Sequence, residues 1–179
     1  MSNTVLMVVD VQNALVEEHP YQERKLIENI KKLIQSARES RTEVIYVQHE
    51  DEETVELARG SVGWQVYGEV APRENERAFG KQYNSAFHHT DLKQYLDSRN
   101  IDTIILVGLQ TEYCIDATCK SAFDFEYKVI IPEETNSTFD NAGLSAQAIY
   151  EFYNNQIWNH RFAEVVAVEE AEKMMREAL

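Results

Sequence analysis

The chain has 179 residues, 44% of them hydrophobic, which suits one domain, residues 1–179, with a sizeable core. Its formal net charge of −14 argues against nucleic acid or an anionic membrane as a partner. No apolar run approaches transmembrane length, and residues 1–4 enter the first predicted strand without a basic leader region.

Residues 4–10 read as a fully buried strand ending in a carboxylate at Asp10. Residues 11–21 read as a loop, with Pro20 near its end. Leu26, Ile30, Leu33, Ile34 and Ala37 then recur at helical spacing, with Lys25, Lys31, Lys32 and Arg38 on the other side. Residues 43–48 form a second strand. The stretch 49–80 is long and irregular, and a loop of that length in a compact domain usually covers a functional site. Its acids, Glu50, Asp51, Glu52, Glu53 and Glu56, read as solvated surface. Gly60, Gly63 and Gly68 let it bend. Trp64 and Tyr67 suit either a pocket wall or packing of the loop and a subunit contact. Lys81 follows Gly80 and is placed before a helix that begins at residues 88–91 and carries Leu92, Tyr95 and Leu96.

Residues 102–120 organise the rest. A β-branched and aliphatic run, 103–107, predicts a buried strand. Gly108 allows a sharp turn, Thr111 is a helix N-cap candidate, and Cys114 falls in the first helical turn. That position, after the C-terminal end of a strand, is where an α/β sheet carries its chemistry. Helix-terminal N–H groups favour an anion there, so the thiol is expected to ionise more easily. The plain alternative is a small buried hydrophobe. Cys119 reads as a core residue on another side of the same helix. The two thiols, the only ones in the chain, are badly placed to bridge, which fits a reducing cytoplasm. Residues 128–131 make a short strand ended by Pro132, residues 141–155 a helix bearing Leu144, Ala148, Ile149 and Phe152, residues 162–166 a last strand, and residues 168–179 a terminal helix. Alternating strands and helices imply a parallel sheet covered on both faces. Five strands are clear.

Three blocks carry a resemblance: the strand ending in Asp10-x-Gln12, the run Lys81-x-x-x-Ser85-Ala86-Phe87, and Gly108-x-x-Thr111-x-x-Cys114. In this order and spacing the chain resembles the isochorismatase-like cysteine hydrolases, whose members include nicotinamidases, N-carbamoylsarcosine amidases, ureidoacrylate and biuret amidohydrolases, and isochorismatases. The resemblance implies a Rossmann-like α/β/α sandwich with a mostly parallel sheet of about six strands. It implies a catalytic triad of Asp10, Lys81 and Cys114, a cis peptide at 109–110, a small amide or carbamoyl substrate and a homodimer or homotetramer.

Substrate contacts are sought at Gln12, Trp64, Gln110 and Tyr113. Gln12 either binds substrate or holds the loop after Asp10. Tyr113 and Glu112 flank the nucleophile and face the pocket, solvent or a partner subunit. The isochorismatases cleave a vinyl ether and typically lack the cysteine, so its presence here favours C–N hydrolysis. Nicotinamidases carry a D-x-H metal motif after the second strand. Here that stretch reads Gln48-His49-Glu50-Asp51, a poor ligand set, so neither a metal nor another cofactor is expected. His19, His88 and His89 are placed at the surface or the pocket rim. Competing functions are a vinyl-ether or ester hydrolase, a redox-active thiol and a binding protein on the same scaffold. A dinucleotide oxidoreductase lacks its signature, because Asp10-Val11-Gln12-Asn13 contains no glycine.

Overall fold

The computed structural model describes residues 3–51 and 56–177. Glu52 and Glu53, and the last two residues of the expected terminal helix, lie outside the described residues.

The chain runs β1 (Thr4–Val9), α1 (Asn13–Val16), α2 (Glu23–Glu39), β2 (Glu43–His49), β3 (Arg77–Lys81), α3 (Leu92–Ser98), β4 (Thr103–Leu109), a π-helical turn (Thr111–Ile115), α4 (Asp116–Asp124), β5 (Lys128–Pro132), β6 (Asn136–Ser137), α5 (Ala146–Phe152), a second π-helical turn (Tyr153–Trp158), β7 (Glu164–Val166) and α6 (Val168–Glu177). Seven strands form one sheet in the order β3-β2-β1-β4-β5-β7, with β6 paired to β4. Every pairing among the named strands is parallel.

Strand period two divides the core. Val5, Met7 and Val9 of β1 and Ile104 and Leu106 of β4 pack with α3, α4 and Trp158. Leu6 and Val8, with Ile105 and Val107, pack against α2 and α6. The apolar stripe read on α2, Leu26, Ile30, Leu33, Ile34 and Ala37, is buried as a unit. The result is a three-layer sandwich.

Several boundaries differ from the sequence reading. Two strands are missing from it: β6, only two residues long, and β3, Arg-Ala-Phe-Gly-Lys, an edge strand whose charged and glycine residues hide any alternation. Lys81 therefore ends a strand and does not precede a helix; turns separate it from α3, which starts at Leu92 instead of residues 88–91. The predicted loop 11–21 contains α1. The predicted helix 141–155 starts only at Ala146, because Ser145 caps it by accepting the Ala148 N–H at 3.2 Å. Leu144 falls outside it and is exposed, as is Phe152.

Candidate functional site

Strand order fixes where chemistry gathers. The chain leaves β1 toward β2 on one side, and β4 later pairs with β1 on the other. The crevice at the carboxyl ends of β1 and β4 is thus the switch point of the sheet. Gly108 permits the close approach there. It faces Val9 across the ladder with φ +129°, and a Cβ on it would lie 1.9 Å from the Val9 carbonyl oxygen.

Asp10 leaves β1 in the left-handed backbone region, φ 54°, while its N–H is held by the Val47 carbonyl at 2.8 Å. Asp is among the few residue types that tolerate that conformation. Cys114 comes from the π-turn after β4, beyond a cis peptide between Leu109 and Gln110. Lys81 ends β3, two strand spacings or about 10 Å from β1, and its long side chain crosses the end of β2 to close that gap. The three residues meet. Lys81 Nζ lies 2.7 Å from Asp10 Oδ2 and 3.1 Å from Cys114 Sγ, with the Lys81 side chain fully buried. Neither Asp10 carboxylate oxygen has a donor in hydrogen-bonding geometry among the described residues, so the Lys81 contact at Oδ2 is an ion pair by distance. Asn84 Oδ1 is 3.9 Å from Cys114 Sγ.

The electrostatics correct one expectation. Burial, followed by the Asp10 charge, pushes the Cys114 thiol up to about 12, against the opposing pull of Lys81. Both causes act against the easy ionisation expected from the helix terminus alone. Desolvation works against the Lys81 ammonium, but Asp10 and Cys114 outweigh it and raise its pKa. The centre thus holds the buried Asp10–Lys81 ion pair with the Cys114 sulfur against the same Lys81 head group.

A fourth group joins them. The β2–β3 register sets His49 opposite Lys81, and His49 Nδ1 is 3.2 Å from Lys81 Nζ. Donor atoms of Asp10, His49 and Cys114 lie within 4.8 Å of one another, the outline of a cation site. Lys81 Nζ is within hydrogen-bonding distance of all three, so the ammonium already supplies the positive charge there. A divalent ion would have to displace it; these residues do not fit a metal. His49 escaped the sequence reading as a member of the centre. Its signal was positional: it ends β2 as Asp10 follows β1 and Lys81 ends β3.

The remaining candidates are spread out. Gln12 is buried, and its side chain is spent on backbone: Nε2 donates to the His49 carbonyl at 3.0 Å and the Trp64 carbonyl at 2.8 Å, and Oε1 accepts the His49 N–H at 2.9 Å. It clamps the long loop to β2. Gln48 Nε2 also donates to the Trp64 carbonyl, at 2.9 Å, while the Trp64 indole N–H is buried without a partner among the described residues. The Gln110 carbonyl accepts the N–H groups of Tyr113 and Ile115. Tyr113 is exposed, its hydroxyl accepting from Asn141 Nδ2 at 2.7 Å.

Thr111 is not the helix cap expected of it. Its hydroxyl donates to Asn136 Oδ1 at 2.8 Å, and Asn136 exchanges amide hydrogen bonds with Asn154 at 3.0 and 3.1 Å. This buried chain fastens the Cys114 turn to β6 and to the second π-turn. The Ser85-Ala86 segment docks on α4: the Ala86 N–H reaches the Thr118 hydroxyl at 3.0 Å, and the Ser85 hydroxyl reaches Ser121 at 2.9 Å. The loop after Lys81 is thereby tied to the helix after Cys114.

The parallel sandwich with a thiol at its switch point defines the class: an α/β cysteine hydrolase. Within that class the chain belongs to the isochorismatase family, whose Isochorismatase domain matches residues 4–170. It is 26% identical over 137 residues to streptothricin hydrolase from Streptomyces noursei, covering 75% of this chain but 50% of that protein, so the chain spans about half the length of that relative. It is 26% identical over 171 residues to the ureidoacrylate amidohydrolase RutB of Agrobacterium fabrum, covering 74% of this chain and 75% of that protein. The crystal structure of a cysteine hydrolase from Pseudomonas syringae pv. phaseolicola superposes with a TM-score of 0.91 at 27% identity, over 99% of this chain and 94% of the other. The expected fold is found, with seven strands in place of about six.

Proposed function

We propose that the chain is a cysteine amidohydrolase cleaving the C–N bond of a small amide or carbamoyl compound through a thioester on Cys114. The contact of one buried ammonium with both Asp10 and Cys114 supports this most directly. The amide-hydrolase names of relatives such as the ureidoacrylate amidohydrolase point the same way.

With the thiol held near 12, proton removal has to accompany attack. Cys114 Sγ bonds to the carbonyl carbon as its proton passes to Asp10. The oxyanion that forms needs fixed donors. The Gln110 carbonyl occupies the N–H groups of Tyr113 and Ile115, and the Cys114 N–H between them in the chain is the donor we assign, with Lys81 supplying positive charge nearby. Asp10 returns the proton to the leaving nitrogen, the C–N bond breaks, and the amine departs. Water then attacks the thioester, Asp10 takes its proton, and the departing sulfur recovers one. The sum is amide plus water giving acid plus amine.

Trp64, Gln110 and Tyr113 remain the proposed substrate contacts, and Gln12 acts through the loop it clamps. Two buried, unbridged cysteines fit a cytoplasmic setting, and among the described residues no helix is long and apolar enough to cross a membrane. Exposed Phe123, Phe125 and Phe152 support a homodimer or homotetramer. The test is ammonia release from a panel of small amides, including nicotinamide, carbamoyl-sarcosine, ureidoacrylate and biuret, with and without chelator. Release by the wild type, unchanged by chelator and absent in Cys114→Ala, is expected; equal release by Cys114→Ala would overturn the covalent route.

A further inference from the structure

Lys81 Nζ has three protons and three electron-rich neighbours, one an ion-pair partner and two hydrogen-bonding partners. Two are Asp10 Oδ2 and Cys114 Sγ; the third is His49 Nδ1 at 3.2 Å. An ammonium has no lone pair, so the direction of this contact is settled: Nζ donates, Nδ1 accepts, and the imidazole carries its proton on Nε2. The contact exists only while the ring is neutral. Several groups bear on that state. Burial, and after it the Lys81 charge, lower the His49 pKa; Asp10, Asp51 and Glu50 pull the other way without prevailing.

The ring is held in place by strand geometry. His49 and Lys81 are register partners on adjacent parallel strands, and Gln12 grips the His49 backbone at both its N–H and its carbonyl. A lysine head group on four rotatable carbons would otherwise be free to settle on its stronger partner, the Asp10 carboxylate, and turn from the thiol.

We propose that His49 is a positioning residue of the centre: its neutral imidazole accepts a hydrogen bond from Lys81 Nζ and so keeps the ammonium directed at Asp10 and Cys114 together. The catalytic consequence rests on the amidohydrolase reading; the effect on the thiol does not.

The experiment compares wild type, His49→Asn and His49→Leu at pH 8, where the imidazole is neutral. Asn Oδ1 lies where Nδ1 does and accepts a hydrogen bond; Leu fills the space and accepts none. Alkylation of Cys114 by iodoacetamide is followed by peptide mass, and kcat and KM are measured on any amide that wild type turns over. Loss of a hydrogen bond to a charged group predicts alkylation and kcat slower by tenfold or more in His49→Leu, with KM within about twofold. His49→Asn is expected to lie within about threefold of wild type. Alkylation of His49→Leu at the wild-type rate would overturn the proposal, as would a His49→Asn variant as slow as His49→Leu, which would mean that the ring matters only for packing. Should His49→Leu fail to fold, His49→Ala, which also lacks an acceptor, takes its place, and alkylation at the wild-type rate there would overturn the proposal. Absence of ammonia from every amide with wild type would sink the amidohydrolase reading and leave the alkylation comparison standing.

Discussion

Cys114 and Cys119 sit one helical turn apart on the same stretch of chain, both buried and both unbridged. Burial is the leading cause that pushes each thiol up to about 12. In acidity they are alike, and in accessibility they differ only in the 9% exposure that Cys114 keeps and Cys119 lacks. Their neighbours differ. Cys114 has an ammonium at 3.1 Å and a carboxylate paired to that ammonium at 2.7 Å; Cys119 faces the apolar core, with Asp116 and Lys120 acting on it only through their charges. The nucleophile proposed here is therefore set apart by the charged groups beside the sulfur, not by how readily the sulfur ionises at rest.

That contrast can be broken in four places. The largest effect is expected from Cys114→Ala, which should lower turnover roughly 10⁴-fold or more while leaving the melting temperature close to wild type. Measured ammonia release and a thermal melt decide it. Lys81→Met comes next. It leaves a buried carboxylate without its counter-ion, at a cost of about 3–5 kcal/mol in chemical denaturation. It should also slow Cys114 alkylation at pH 8, since removing the ammonium raises the thiol pKa further. Third is the response to alkali. Both thiols go from about 9.0 unfolded to about 12 folded, so the folded state holds protons that the unfolded chain has lost. Their stabilisation is complete below pH 9 and declines as pH rises toward 12; Lys81, also raised, adds in the same direction. Melting temperature should fall through that window. Smallest is Cys119→Ala: turnover within about twofold of wild type, a loss of about 1–2 kcal/mol from the small void, and a shallower alkaline decline. A large fall in turnover in Cys119→Ala would erase the distinction between the two thiols.

The parts legible in the sequence were those whose local pattern matched their burial. β1 and β4 are unbroken aliphatic runs because α-helices cover both faces of the sheet at those strands. Cys114 announced itself by following one of them. β3 was not legible: at the edge, Arg77 and Gly80 are as acceptable as valine, and a Cβ at Gly80 would meet only the end of the flexible Glu50 side chain. Lys81 was found through its motif, not through its strand. His49 and the Thr111–Asn136–Asn154 chain were invisible for another reason. Their partners are set by strand register and by a helix more than forty residues downstream of Thr111, and no short-range pattern encodes either.

The left-handed backbone at Asp10 ties two requirements to one codon. The position needs a residue that accepts φ 54°, and the proposed chemistry needs a proton acceptor. Asparagine and glycine meet the first requirement alone; glutamate meets the second and fits the first poorly. A lineage of this scaffold released from hydrolysis would be expected to drift at Lys81 and Cys114 toward ordinary core residues, while position 10 stayed confined to aspartate, asparagine or glycine. The end of the first strand would then keep the memory of the enzyme in its backbone after its side chains had lost it.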